Sequence, residues 1–208
     1  MAGERNAEVI SAAIRVFGQY GYSSASVQDV ADALNMPKGT LYHYIKSKED
    51  LLTKIFDSSH DELQVIRSDL NAQADGGLEQ LRFFIERYVL WSIEHIDKAK
   101  IYSREWRYLS GQLRRSVIER RRGLDAVMES LIEVARQGGE IDPATDTQRS
   151  AFFIWAAISS VPDWYSRGGP ETPEKIAESY AILAINSLTG HATASSPPET
   201  AAEIACAG

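Results

Sequence analysis

Apolar residues recur at helical spacing almost from the start of the chain. Ile10, Ile14, Phe17 and Gly21, with Ala13 beside them, predict a helix from about residue 4 to residue 20, which Gly21 is placed to end in the left-handed conformation. Val27, Val30, Ala31 and Leu34 mark a second helix. Ser26 is its N-cap, and Asp29 three residues on suits the positive end of the helix dipole. Asn35-Met36-Pro37 should end it, because Asn tolerates the left-handed region and Pro37 disfavours α at Met36. A short third helix follows, about 37–44, with Leu41 and Ile45 facing inward. Ser47, with Asp50 three residues on, opens a long fourth helix to about residue 72. Its Leu51, Leu52, Ile55 and Phe56 pack on the preceding helices, and Leu63, Val65, Ile66 and Leu70 on what comes after.

Beyond the break at Asp75-Gly76-Gly77 the stripes widen. Leu81, Ile85, Tyr88, Ser92 and Ile96 lie beside a second row of Phe84, Trp91 and His95, so this helix is central. Residues 97–100 read as a short junction, and Ile101, Glu105, Tyr108 and Leu109 as a shorter helix. A long helix from 112 to 137 buries Val117, Leu124, Val127, Met128, Leu131, Ile132 and Ala135. The next, about 146–165, contains AFFIWAAISSV, apolar nearly all round, which predicts burial on two sides: a core and a subunit interface. Thr172 and Pro173 start a last helix, to about residue 188, with Ile176, Tyr180, Leu183, Ala184 and Leu188 as its stripe. Strand-like alternation and internal repeats are both missing. The expected fold is all-α with about nine helices, followed by a small, polar, Pro-rich tail over 191–208 that reads as disordered.

Composition narrows the function. At 208 residues the chain has room for one or two domains. One cysteine, Cys206, permits no internal disulfide. No apolar run approaches the roughly 20 residues that cross a bilayer, and the N-terminus lacks a signal core, so a cytoplasmic protein without membrane contact is expected. His43, His60, His95 and His191 show no metal-ligand spacing, and there is neither a Gly-rich phosphate loop nor a GxSxG elbow. No catalytic residues, metal or cofactor are therefore assigned, and an enzyme is not expected. The net charge of −7 argues at first against nucleic acid. Residues 1–56, however, hold six basic and six acidic side chains, so the whole deficit lies in the remainder. Affinity for DNA follows the local contact surface.

A capped helix, a tight turn and a short polar second helix with a basic flank form the plan of a helix-turn-helix. From Met36 to Lys48 there are three lysines and no acid. Lys38 and Thr40 are placed to reach base edges or phosphates, and Gly39 lets backbone come close. Tyr42 and His43 are flat groups that donate to phosphate or stack on sugar and base, and Lys48 would meet phosphate at the next helix start. On helix pattern alone, a purely structural capped hairpin fits as well.

Lys38-Gly39-Thr40-Leu41-Tyr42-His43-Tyr44, then Lys46-Ser47-Lys48-Glu49-Asp50-Leu51-Leu52, resembles the recognition helix and following helix of the tetracycline-repressor (TetR) family. Ala12-Ala13, Phe17, Gly21-Tyr22 and Val30-Ala31 extend the likeness over residues 6–55 without a gap. Pro37 and Ile45 depart from the family pattern, where a small polar residue and Phe are common. The resemblance implies a helix-turn-helix domain over 3–63 (motif 26–45), a ligand-binding and dimerisation domain over 64–190, and a homodimer on a palindromic double-stranded DNA operator. It implies DNA contacts from Ser26, Lys38, Gly39, Thr40, Tyr42, His43 and Lys48. It also implies a pocket for a small-molecule effector, for which Phe84, Tyr88, Trp91, Trp106 and Trp155 are the aromatic candidates. Glu105 to Leu109, the basic helix after it, and Asp163-Trp164-Tyr165 are similar to the branch answering to acyl-CoA thioesters of lipid or steroid catabolism. On that reading Arg114, Arg121 and Arg122 hold the phosphates. The competing reading is a repressor of efflux or metabolite genes that senses a hydrophobic drug-like molecule, with those arginines a solvated face.

Overall fold

The computed structural model describes residues 2–70 and 76–190, so the tail expected to be disordered lies outside the described residues. Helices α1 (Ala2–Tyr20), α2 (Val27–Ala33) and α3 (Lys38–Leu41) and the first half of α4 (Lys48–Leu70) enclose one small core. Val9, Ala13, Phe17, Val30, Leu41, Leu51 and Leu52 are all buried in it. Local chemistry fixes the turns. Gly21 takes a φ of 75° and its N–H bonds the Phe17 carbonyl at 2.9 Å. Ser26 and Asp29 form a reciprocal capping box on α2. Asn35 takes a φ of 50°, and Met36 N–H reaches back to the Ala31 carbonyl at 3.0 Å. Asp50 N–H bonds Ser47 Oγ at 3.1 Å while Lys46 N–H bonds the Asp50 carboxylate at 2.9 Å. Pro37 is the N-cap of α3, which is a single turn, shorter than its polar pattern suggested.

The body comprises α5 (Gly77–Glu94), α6 (Ile96–Arg104), a 3₁₀ turn (Glu105–Tyr108), α7 (Gly111–Gln137), α8 (Thr147–Ser159), α9 (Val161–Trp164) and α10 (Pro173–Thr189). There is no strand among the described residues. Helix α5 is central: α10 lies along one side of it, α7 and α4 along others. The small buried residues Ala177, Ala181 and Ala184 of α10 allow a close approach.

Four expectations need correction. Residues 97–100 are not a junction but the first turns of α6; the break falls at His95, and Lys98 is buried because it has a carboxylate partner. The helix expected over 146–165 is interrupted at Ser160, since Pro162 has no N–H to give the Ile158 carbonyl. Val65 stands outside the Leu63, Ile66 and Leu70 face of α4 and is exposed. Leu183 likewise turns outward from the Ile176, Ala184 and Leu188 face of α10.

Gly77 carries a specific packing requirement. A Cβ there would lie 2.2 Å from the Ala135 backbone nitrogen of α7. The α5 N-terminus is instead capped from across the fold, Gly77 and Leu78 N–H donating to the two Glu140 carboxylate oxygens at 2.8 and 3.2 Å. Gly77→Ala is expected to cost about 2–3 kcal/mol, the usual penalty of overpacking against immovable backbone. Urea denaturation checks it; unchanged stability would mean that α5 and α7 can separate freely.

Candidate nucleic-acid interface and effector cavity

The first site is built on the two capped turns. Leu41 and Ile45 anchor the turn of α3 in the core, and Lys38, Gly39, Thr40, Tyr42 and His43 are left exposed on its outer side. A side chain at Gly39 would meet nothing within 4 Å, so the fold itself does not require glycine there. Ser26, at the start of α2, is engaged by its own cap: its backbone N–H gives Asp29 Oδ2 a 2.7 Å bond and its hydroxyl a 2.8 Å bond. These bonds hold the Asp29 carboxyl below its ordinary range. Lys48 behaves differently from Lys38. Its ammonium lies 4.3 Å from the Tyr22 ring centroid and 3.3 Å from the Ser23 carbonyl oxygen, and burial lowers its pKa. It is folded back onto its own domain, whereas Lys38 stands out beside Thr40.

The second site lies between α5, α6, α7 and α8. A cavity of about 70 Å³ is walled by Tyr88 of α5, Tyr102 and Ser103 of α6, Arg121, Leu124 and Asp125 of α7, and Trp155 and Ser159 of α8. Trp155 stands edge-on to Tyr88 at 4.8 Å and to Phe84 at 5.9 Å between centroids. The Arg121 guanidinium lies 5.3 Å from the Tyr102 ring and 5.9 Å from the Trp106 ring, and donates to the Tyr102 carbonyl at 2.5 Å. Arg114, two turns earlier on the same face, lies 5.5 Å from Trp106. Burial pushes the Asp125 carboxyl up against the opposing effect of Arg121. Burial also holds the phenols of Tyr88 and Tyr102 above their ordinary value.

Sequence reasoning is only partly matched here. Tyr88, Trp155 and Arg121 wall the cavity; Phe84 backs Trp155, and Trp106 covers Arg121 from outside. Trp91 does not line it but packs behind two of its walls, 5.9 Å from Tyr88 and 6.4 Å from Tyr102 between ring centroids. Its indole N–H is directed to Glu62 of α4 at 2.8 Å. Arg122 is exposed, one residue and about 100° round the helix from Arg121. Tyr102, Ser103, Leu124, Asp125 and Ser159 were missed. The spacing of Arg121 and Asp125, four apart on α7, was the available signal for one of them.

Two sets of contacts join the sites. Glu49, next to Lys48, accepts the backbone N–H and hydroxyl of Ser110 at 2.7 and 3.0 Å, tying α4 to the start of α7. Tyr22, under Lys48, meets Tyr108 of the 3₁₀ turn at 5.4 Å, and that same turn holds Trp106 against Arg121. Further along α4, Glu62 accepts from buried Lys98 at 2.6 Å and from Trp91. Burial alone would raise the Glu62 carboxyl, but the bonds from Lys98 and Trp91 outweigh it and leave the pKa lowered. A depressed carboxylate contributes stability that is complete above its ordinary 4.5 and lost as pH falls through the folded value. Melting curves of the wild type should therefore fall more steeply on acidification below that point than those of Glu62→Gln. Parallel curves would remove Glu62 from the acid response.

Known proteins share both halves. Residues 9–55 match the family described as bacterial regulatory proteins, tetR family, and residues 74–188 match the tetracyclin repressor-like C-terminal domain. The HTH-type transcriptional repressor KstR2 of Mycobacterium tuberculosis is 28% identical over 194 residues, 89% of this chain and 93% of its own. The fatty acid metabolism regulator protein of Bacillus subtilis is 24% identical over 159 residues, 76% of this chain and 81% of its own. Among solved structures, the M. tuberculosis ketosteroid regulator KstR2 aligns with a TM-score of 0.83 at 23% identity, covering 90% of this chain and 96% of its own. AibR, solved with isovaleryl coenzyme A and operator DNA, aligns with a TM-score of 0.78 at 24% identity, over 88% and 97%. These relatives are regulators of transcription, and no helix among the described residues is long and apolar enough to cross a membrane.

Proposed function

The chain belongs to the tetR family of bacterial regulatory proteins, and from that premise we propose that it is a homodimeric repressor released from a palindromic operator by an acyl-CoA thioester. The observation that carries the effector class is Arg121: a guanidinium at the wall of an aromatic cavity, with Arg114 on the same face of α7. An apolar acyl group would enter beside Tyr88 and Trp155, and the phosphate-bearing part would lie outside on the two arginines, whose planar forks suit phosphate oxygens. Isovaleryl coenzyme A in AibR and the lipid-related names of the relatives support the same class. Arg122 is not assigned a role in it.

The cavity is small, about 70 Å³. A larger acyl group must move α6 and α7 apart, and that displacement supplies the differential binding a switch requires. Through Tyr108 and Ser110 it would reach Tyr22, Lys48 and Glu49 at the head of α4. On the DNA side, Lys38, Thr40 and Tyr42 are assigned to sequence reading, with Gly39 allowing close approach and His43 and Ser26 toward the backbone. Lys48 reaches phosphate only by leaving Tyr22, so its main contribution is to tie the head of α4 to the turn between α1 and α2.

The test is release of DNA selected from a random pool by the protein itself, followed by fluorescence anisotropy. Short-chain acyl-CoA should release it at concentrations where the free acid does nothing. Equal potency of acid and thioester would favour the sensor of hydrophobic metabolites, whose support is the aromatic character of the cavity wall.

A further inference from the structure

Two donors in the cavity wall lack protein partners. Tyr102 Oη and Trp155 Nε1 are both inaccessible, and neither has a hydrogen-bond partner among the described residues. Tyr102 is only 5% exposed. Tyr88 differs, since its hydroxyl is engaged by Ser159. Buried polar atoms are nearly always paired, and the exceptions call for an explanation. Indole N–H is a donor only, so whatever pairs with Trp155 must be an acceptor. A neutral phenol can likewise donate to an acceptor. Arg121 and Asp125 wall the same cavity and are partly exposed, so a thioester head group held there would leave the acyl part among Tyr102 and Trp155, where a small displacement of the wall would bring the two donors to it.

Resting on the acyl-thioester reading above, we infer that this cavity selects an acyl group carrying its own uncharged acceptor oxygen, a keto oxygen above all, held by Tyr102 and Trp155. A plain alkyl chain would bury both donors unpaired. A site built to donate hydrogen bonds discriminates against an analogue lacking the acceptor far better than an apolar pocket can reject an added group. Tyr102 and Trp155 are thus specificity-determining residues for the effector. They lie on α6 and α8, so satisfying them also draws together two helices that border the cavity.

Matched probes test this: butyryl-CoA against acetoacetyl-CoA, and valeryl-CoA against levulinyl-CoA, each pair differing in one keto oxygen at a different distance from the thioester. Isothermal titration of the full-length protein is the readout, repeated with the four free acids. In at least one thioester pair the keto member should bind about tenfold tighter or more. Tyr102→Phe and Trp155→Phe should each shrink that ratio, and the double variant should bring it close to one. The unliganded Tyr102→Phe protein should melt no lower than the wild type, because it loses a buried hydroxyl with no protein partner. Equal affinity within both pairs overturns the inference, as does a ratio that survives the double variant. Equal weakening of keto and plain thioesters overturns it too, since the donors would then serve the carbonyl common to both. A keto preference among free acids, with no gain from the thioester, keeps this inference and removes the CoA reading. A gain from the thioester without a keto preference does the reverse. No binding by any of the eight counts against both.

Discussion

Phe152→Glu combined with Leu183→Glu is expected to give a monomer that no longer holds the operator. Phe152 of α8 and Leu183 of α10 are 56% and 64% exposed, and Phe153 and Ile182 beside them are exposed as well. The opposite faces of both helices are already used: Ala151, Ile154 and Ile158 of α8, and Ile176, Ala181, Ala184 and Leu188 of α10, are buried within the chain. A two-fold interface across α8 and α10 would cover the outer faces, and each substitution then enters it twice. Carboxylates without partners in such an interface cost several kcal/mol per ion. The loss on DNA follows from geometry. A single turn of α3 offers few contacts, and the second half-site is reached at high effective concentration only while the subunits are joined. Operator affinity should fall by about 10²–10⁴, with each monomer's melting behaviour remaining cooperative. Sedimentation velocity and anisotropy on one preparation decide it. A double variant that stays dimeric, or a monomer with unchanged affinity, would sink this arrangement.

The DNA-reading unit was legible in the sequence because its architecture is local. The capping box of Ser26 and Asp29, the left-handed Gly21 and Asn35, and the Ser47 cap each operate within four residues. No distant contact had to be known. The body was less legible because its decisive contacts are not local. Lys98 reads as a surface charge in a junction, yet Glu62, 36 residues earlier, accepts a hydrogen bond from its ammonium and makes it a buried helix residue. Trp91 reads as a pocket wall, and its ring does pack on Tyr88 and Tyr102, but Glu62 takes its indole N–H to the α4 side. Tyr102 was passed over because the start of α6 was misplaced, which hid the face it shares with the cavity. The break before α9 differs in kind: Pro162 was there to be seen, and the apolar run around it drew attention to burial instead of backbone hydrogen bonding.

Arg121→Ala and Tyr108→Ala should separate effector binding from its transmission. Arg121 touches the cavity, Tyr102 and Trp106, and is the guanidinium nearest the proposed phosphate site. Removing a charge-assisted pair costs about 1.5–3 kcal/mol, so acyl-CoA affinity should drop roughly 10- to 150-fold in Arg121→Ala. DNA affinity without effector should stay near that of the wild type. Tyr108 is 48% exposed and its ring meets Tyr22, which carries Lys48 on its other contacts. Tyr108→Ala should leave direct binding of acyl-CoA to free protein nearly intact, yet reduce how far the ligand lowers DNA affinity. Thermodynamic linkage makes this a closed test, because DNA must lower effector affinity by the same factor by which effector lowers DNA affinity. Both factors should shrink together in Tyr108→Ala, whereas in Arg121→Ala the effector simply needs a higher concentration to act. Spatial adjacency alone does not establish coupling. A Tyr108→Ala protein with the full wild-type factor in both directions would therefore remove the 3₁₀ turn from the switch and leave the Glu49–Ser110 cap as the connection between cavity and DNA.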